Sequence, residues 1–289
     1  MEDVDYKKFI KNVYNDTYDE YVIEHASSNR APSDAVMRYA RQAAIDKSFV
    51  ESLIKYDGKE DQEDLWACIA DIHKIHVANL EEYSNDEDVQ IEILHRCLSA
   101  HQSWIKSSGH AFERYISCLD NTDLQDNEIR FILQKELTQL IKNDQLSNTV
   151  EDIAGLKSWG KDFDLYAIQT IHKETHVFGC IQSKTSIRDR VGRDVGFSNN
   201  AMDGLFWSAA VTFDGTFLNM PEFINMVNGG GSYPENGWHG MYAFSGISEN
   251  NGRIYKTDQY LKLFANHAIQ AARQFISDRR RLNRSWIAE

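Results

Sequence analysis

Val177-Phe178-Gly179-Cys180-Ile181-Gln182-Ser183-Lys184-Thr185-Ser186-Ile187-Arg188-Asp189-Arg190 begins as an apolar strand and ends with four charges in seven residues. A lysine at the end of such a strand is well placed to act where a sheet edge opens. Upstream, Phe163-Asp164-Leu165-Tyr166-Ala167-Ile168 is a second apolar run that carries one carboxylate. At Phe163 the apolar period changes from about 3.6 to 2. Strands are expected over 163–171 and 176–183, joined by the polar turn His172-Lys173-Glu174-Thr175. A carboxylate drawn into an apolar pattern must be paired, protonated or bound to a metal, because its desolvation is costly. Singly, Asp164 and Lys184 read as ordinary strand-end charges; on adjacent strands of one hairpin they form a candidate reaction centre.

The 289 residues suffice for one large domain or two small ones with a sizeable core. The N-terminus is acidic and lacks the apolar segment of a signal peptide, and no apolar run approaches the roughly 20 residues that span a bilayer. Cys68, Cys97, Cys118 and Cys180 form no metal-ligand pair and read as reduced thiols of a cytoplasmic protein. A net charge of −13 weighs against a nucleic-acid partner until its distribution is counted. Residues 1–95 hold 10 Lys+Arg and 22 Asp+Glu, a net of −12, which leaves 21 and 22, a net of −1, for residues 96–289. An anion would bind in the second part, where arginine clusters set the local field.

Residues 1–95 are expected to form a helical subdomain, from the spacing of Tyr6, Phe9, Ile10, Val13, Tyr14 and Tyr18 and of later runs through Val36, Phe49 and Leu65–Leu80. The acidic linker 81–88 places a boundary there, followed by a second domain over 96–289. Helices are expected from Val89, from a serine cap at Ser107-Ser108, and over Asn127–Leu146 with Phe131, Ile132, Leu137 and Leu140 inward. Beyond the arginine turn the pattern predicts a helix from about Asn200 through Trp207, a loop over Gly229–Gly237, a strand over Trp238–Phe244 and a terminal helix over 258–280.

An acid, a strand, a turn, a strand and a lysine are the minimum signature of the PD-(D/E)XK nuclease fold. That signature normally has an acid two residues before the lysine, and here the position is Gln182. Because a Mg²⁺ site usually takes one or two carboxylates, a second acid must come from elsewhere. Asp203 on the following helix, Glu113 on the earlier one and Asp194 are the candidates; each could equally be a solvated helix charge. Arg188-Asp189-Arg190 has the chemistry to read adjacent G·C pairs, since arginine bonds guanine O6 and N7 bidentately and aspartate accepts from cytosine N4. Arg279, Arg280, Arg281 and Arg284 suit phosphate contacts or a solvated helix end. His239 has no nucleophile placed beside it and reads as a satisfied strand histidine. Gly229–Gly231 lacks the lysine and helix of a phosphate loop.

Three stretches then converge: Ser107-Ser108-Gly109-His110-Ala111-Phe112-Glu113, the run from Val177 to Val191, and Asn236-Gly237-Trp238-His239-Gly240-Met241-Tyr242. Together they resemble the BsaWI-like type II restriction endonucleases, a family whose sites contain CCGG. The resemblance implies a PD-(D/E)XK core, an α/β fold with a mixed sheet flanked by helices and a helical N-terminal subdomain. It implies that the second metal acid has moved from strand to helix, which points to Asp203, and that Glu113 assists. Asp164, Asp203 and Glu113 would hold Mg²⁺, Lys184 would act on the attacking water, and Arg188, Asp189 and Arg190 would read CCGG. The expected partners are double-stranded DNA containing CCGG and a second copy of the chain, since a palindromic site calls for at least a homodimer; homotetramers also occur in the family. Cleavage is expected 5′ of the first C.

Overall fold

The computed structural model describes residues 3–26, 32–55, 72–76, 104, 106–186 and 191–289. The chain forms two compact units, Met1–Tyr115 and Ile116–Glu289. The boundary expected near residues 81–95, the helix from Val89 and most of Leu65–Leu80 lie outside the described residues.

In the first unit, α1 (Asp3–His25) packs on α2 (Asp34–Lys55). Ile10 and Tyr14 are four apart on α1; Ala40, Ala44, Ile45 and Phe49 follow one face of α2, and all six are buried. The Tyr14 hydroxyl is satisfied by His76 Nδ1 at 2.8 Å, and Phe49 meets Phe112 with ring centroids 6.3 Å apart. Ser107 and Ser108 do not cap a helix. Residues 106–117 are already helical and both serines are buried within that helix, so the turn they were expected to open starts upstream.

The second unit is built on a six-stranded mixed sheet whose spatial order is its sequence order, β1 to β6. β1 (Ile129–Leu133), β2 (Leu165–Ile171) and β3 (Glu174–Ser186) are antiparallel; β4 (Trp207–Asp214), β5 (Gly240–Ser245) and β6 (Ile254–Lys256) continue parallel to β3. Between β1 and β2 lie α4 (Gln134–Lys142) and α5 (Val150–Ser158), and the short α3 (Thr122–Asp126) precedes β1. α6 (Val191–Asp203) crosses from β3 to β4, α7 (Pro221–Asn228) lies between β4 and β5, and α8 (Lys262–Asp278) follows β6.

Two expectations are corrected here. Asn127–Leu146 is not one helix, because Ile129–Leu133 pairs residue by residue with β2 and only the segment from Gln134 is helical. A short apolar run fits either period, and the available sheet edge decides it. The helix placed at 200–207 instead runs from Val191 to Asp203. Leu205 takes a left-handed conformation at φ 59°, the N–H of Phe206 bonds back to Ala201, and Trp207 is already in β4. The hairpin is tighter than expected: His172 and Lys173, at φ 52° and 72°, make a two-residue turn, and β3 begins at Glu174.

Strand alternation distributes the layers. Trp207 and Tyr242 face α8, where Phe264 lies with ring centroids 5.4 and 5.1 Å away respectively. Ala210, Met241 and Ala243 face the opposite side and pack with Met226 and Val227 of α7 and with Trp238. Gln182 pairs with Ala210 and Lys184 with Thr212, so the even-numbered residues of β3 share this second face. No helix among the described residues is long and apolar enough to cross a membrane.

Candidate active site

β2 runs antiparallel to β3, so the start of β2 lies beside the end of β3. Asp164, immediately before β2, bonds its N–H to the Ile181 carbonyl at 3.1 Å. Its carboxylate oxygen Oδ2 accepts the Ser183 N–H at 2.7 Å and lies 3.5 Å from Lys184 Nζ. The acid and the lysine that the sequence pairs are therefore brought together by the strand register.

The crossover supplies a further carboxylate. α6 starts just beyond the C-terminal end of β3, and Asp194 in its first turn puts Oδ2 3.7 Å from the same Lys184 Nζ. Burial raises the Asp194 carboxyl above its ordinary value; the Asp164 charge adds to this, against the pull of Lys184 and Arg193. Two partly buried acids thus share one ammonium at the carboxyl end of a parallel strand, where sites of open α/β sheets form.

Asp203 occupies different surroundings. It ends α6, nine residues past Asp194, and that separation is about 13 Å along a helix axis. Its two oxygens receive Arg284 Nε and Nη2 at 2.9 and 3.0 Å. Arg284 also bonds Asn199 Oδ1 at 3.0 Å and Glu235 at 2.9 Å. Of the acids considered for the second carboxylate of this unit, Asp194 is the one whose side chain lies with Lys184. Gln182 is buried, with Oε1 accepting from Trp238 Nε1 at 2.8 Å and Nε2 donating to the Asp194 carbonyl at 3.1 Å. Glu113 belongs to the first unit, where its Oε2 lies 3.2 Å from His110 Nδ1. Arg188, Asp189 and Arg190 lie outside the described residues.

His239 is buried and committed on both ring nitrogens: Nδ1 accepts the Ser208 N–H at 3.0 Å, and Nε2–H donates to the Asn283 carbonyl at 3.0 Å. Burial pushes its pKa down to about 4, and the Arg253 and Arg284 charges assist against the Asn283 bond. Arg279 is bonded within the protein. It grips Asp152 through Nη1 and Nη2 at 2.6 and 2.7 Å and caps the end of α6 through the Gly204 carbonyl at 2.6 Å. Sequence reasoning missed Trp238 as a partner of Gln182. No local signal joined them, since the two residues are 56 apart in sequence and β4 lies between β3 and β5.

Asp164 and Asp194 fit a divalent cation as a carboxylate pair; among the described residues no group of three or more His, Cys, Asp or Glu is gathered for one. The model of the family described as BsaWI restriction endonuclease type 2 matches residues 142–281. The chain is similar to restriction endonuclease BsaWI as solved in a pre-specific complex with DNA, with 36% identity over 98% of each chain and a TM-score of 0.66. The specific AgeI–DNA complex shares the fold at 17% identity, covering 90% of this chain and 91% of that one, with a TM-score of 0.56. Comparison with curated proteins finds no match. At 36% identity to BsaWI over 98% of its length, with the family model spanning the hairpin, the crossover and α8, the chain belongs to the BsaWI family of type II restriction endonucleases and is a site-specific deoxyribonuclease.

Proposed function

We propose that this enzyme cleaves both strands of duplex DNA at a palindromic site with a CCGG core, with Mg²⁺ as cofactor. The observation that carries the reading is the convergence of Asp164 and Asp194 on Lys184 Nζ, at 3.5 and 3.7 Å. The two carboxylates would hold the cation, in place of the Asp164–Asp203 pair that the resemblance suggests. Bound there, Mg²⁺ would supply charge stabilisation at the scissile phosphate. Lys184 would orient the attacking water, help deprotonate it and neutralise charge developing on the phosphate oxygens. Asp164 holds Lys184 at the strand end by accepting from Ser183 N–H and Nζ through one oxygen. Attack in line with the leaving 3′ oxygen leaves a 5′-phosphate and a 3′-hydroxyl; the family habit puts the cut 5′ of the first C.

Arg188 and Arg190 would each take a guanine and Asp189 a cytosine N4. A two-fold symmetric site calls for a homodimer, which in this family can pair into a tetramer. This reading places the enzyme in the cytoplasm with its DNA. Sequencing the ends of plasmid digested with Mg²⁺ tests site, cut position and cofactor together. Ends that share no CCGG would sink the specificity. For base reading, binding of Arg188→Ala and Asp189→Ala is compared on CCGG and scrambled duplexes in Ca²⁺. The expected loss is about tenfold or more on CCGG alone; equal losses on both duplexes would reassign these residues to the backbone.

A further inference from the structure

Gln182 stands where the fold's signature carries an acid, and its surroundings give it another task. The side chain is 1% exposed and spans two elements: its Oε1 takes the Trp238 indole N–H, and its Nε2 gives to the Asp194 carbonyl. The amide has one usable orientation. An indole can only donate and a carbonyl can only accept, so a flip would break both bonds at once. Oε1 is therefore aimed at Trp238 and Nε2 at the Asp194 carbonyl.

Both ends of this link are firm. Trp238 is buried among Ala210, Met226, Val227 and Met241, with its carbonyl held by Asn236 Nδ2 at 2.9 Å. Asp194 sits in the first turn of α6, where the main chain fixes the direction in which a carboxylate leaves the helix. We propose that Gln182 is a positioning residue: it ties the first turn of α6 to the Trp238 wall and so holds the Asp194 carboxylate beside Lys184 and Asp164. The inference rests on the reading that Asp194 supplies the second metal acid. It explains why an amide suits this strand position once the acid has moved to the helix. An ionised carboxylate could accept from the indole but would set an oxygen against the Asp194 carbonyl.

Mn²⁺ binding to the full-length protein, read from the free-ion electron paramagnetic resonance signal, tests this apart from cleavage. Gln182→Met keeps the volume and removes both bonds; it should weaken Mn²⁺ binding roughly tenfold, the usual scale for losing a group that orients a ligand. Trp238→Phe frees Oε1, and it should also weaken binding, by about threefold, because one anchor of the link is lost. Were Gln182 itself a ligand, Trp238→Phe would leave binding unchanged or tighten it. In an Asp194→Asn background Gln182→Met should add no further loss; an additive loss would overturn the inference. Lower melting temperatures with unchanged Mn²⁺ affinity in both single variants would reduce Gln182 to a packing residue and overturn it too. Should Gln182→Met fail to fold, the Trp238→Phe affinity decides. Wild-type affinity in Asp194→Asn would defeat the underlying metal reading, a result separable from failure at Gln182.

Discussion

The two ends of α6 carry the same kind of residue in opposite circumstances. At its start, Asp194 and the nearby Asp164 share a single lysine, and burial holds the Asp194 carboxyl above its ordinary value. At its end the acids are gripped by guanidinium groups. Asp203 receives Arg284 bidentately, and Asp152 receives Arg279, which also stacks over Phe206 and Phe275 at 4.8 and 4.6 Å. Burial works against the Asp152 charge, but the bonds and charge of Arg279, aided by Asn148 and the Thr149 N–H, hold its carboxyl below the ordinary range. Acids that face one ammonium at 3.5 and 3.7 Å keep oxygens to offer a metal ion; acids gripped through both oxygens by an arginine make a clamp. Position on a helix does not separate the two cases, and the geometry of the cation contact does.

The sharpest way to break this contrast is at the first end. Asp194→Asn and Lys184→Ala should each lower plasmid cleavage by about 10²–10³-fold or more, the scale of losing one preorganised electrostatic partner. Both variants should still bind a CCGG duplex in Ca²⁺. Cleavage near the wild-type rate in Asp194→Asn would return the second acid to Asp203.

At the second end the large effect should fall on stability. Asp152→Ala leaves the Arg279 guanidinium without its carboxylate and should cost about 3 kcal/mol in urea unfolding. A cost below 1 kcal/mol would show that the stacking and the α6 carbonyls hold Arg279 unaided.

His239 ties the second end to the chain terminus through Asn283, and it makes that region sensitive to acid. Its folded pKa of about 4 lies below the unfolded value of 6.5. Between those values the unfolded chain binds more protons, so stability falls as pH drops from 6.5 toward 4, by up to about 3 kcal/mol. Asp152 contributes in a lower window, as pH falls below the usual aspartate range. Urea midpoints followed from pH 7 to 4.5 should decline, and His239→Gln should flatten the decline; an unchanged slope would remove His239 as its source. The smallest effect is expected from Asp203→Asn. As the exposed partner of a surface pair it should cost about 0.5 kcal/mol and leave cleavage within about twofold of wild type. A loss as large as that of Asp194→Asn would erase the distinction between the ends.

The hairpin that carries Asp164 and Lys184 was legible because alternation and a polar turn are local properties, and one-residue register errors would move every apolar side chain to the wrong face. The helical character of the N-terminal stretch was legible for the same reason. β1 was not, since Phe131 and Ile132 satisfy a helical period until the edge of β2 is there to pair with them. The start of α6 was not legible either: the helix was expected from about Asn200, and it begins at Val191.

By itself the sequence determined the chemistry in stock: an acid, a lysine two residues after an amide, and an arginine-rich turn, all close to one hairpin. Only the tertiary structure decided which second acid joins them. A helix crossing between parallel strands begins at their carboxyl ends and finishes at their amino ends. The crossover therefore delivers Asp194 to Lys184 and carries Asp203 away to Arg284. That assignment depends on where a helix starts and on which arginine folds back from the terminus, and neither is a property of neighbouring residues.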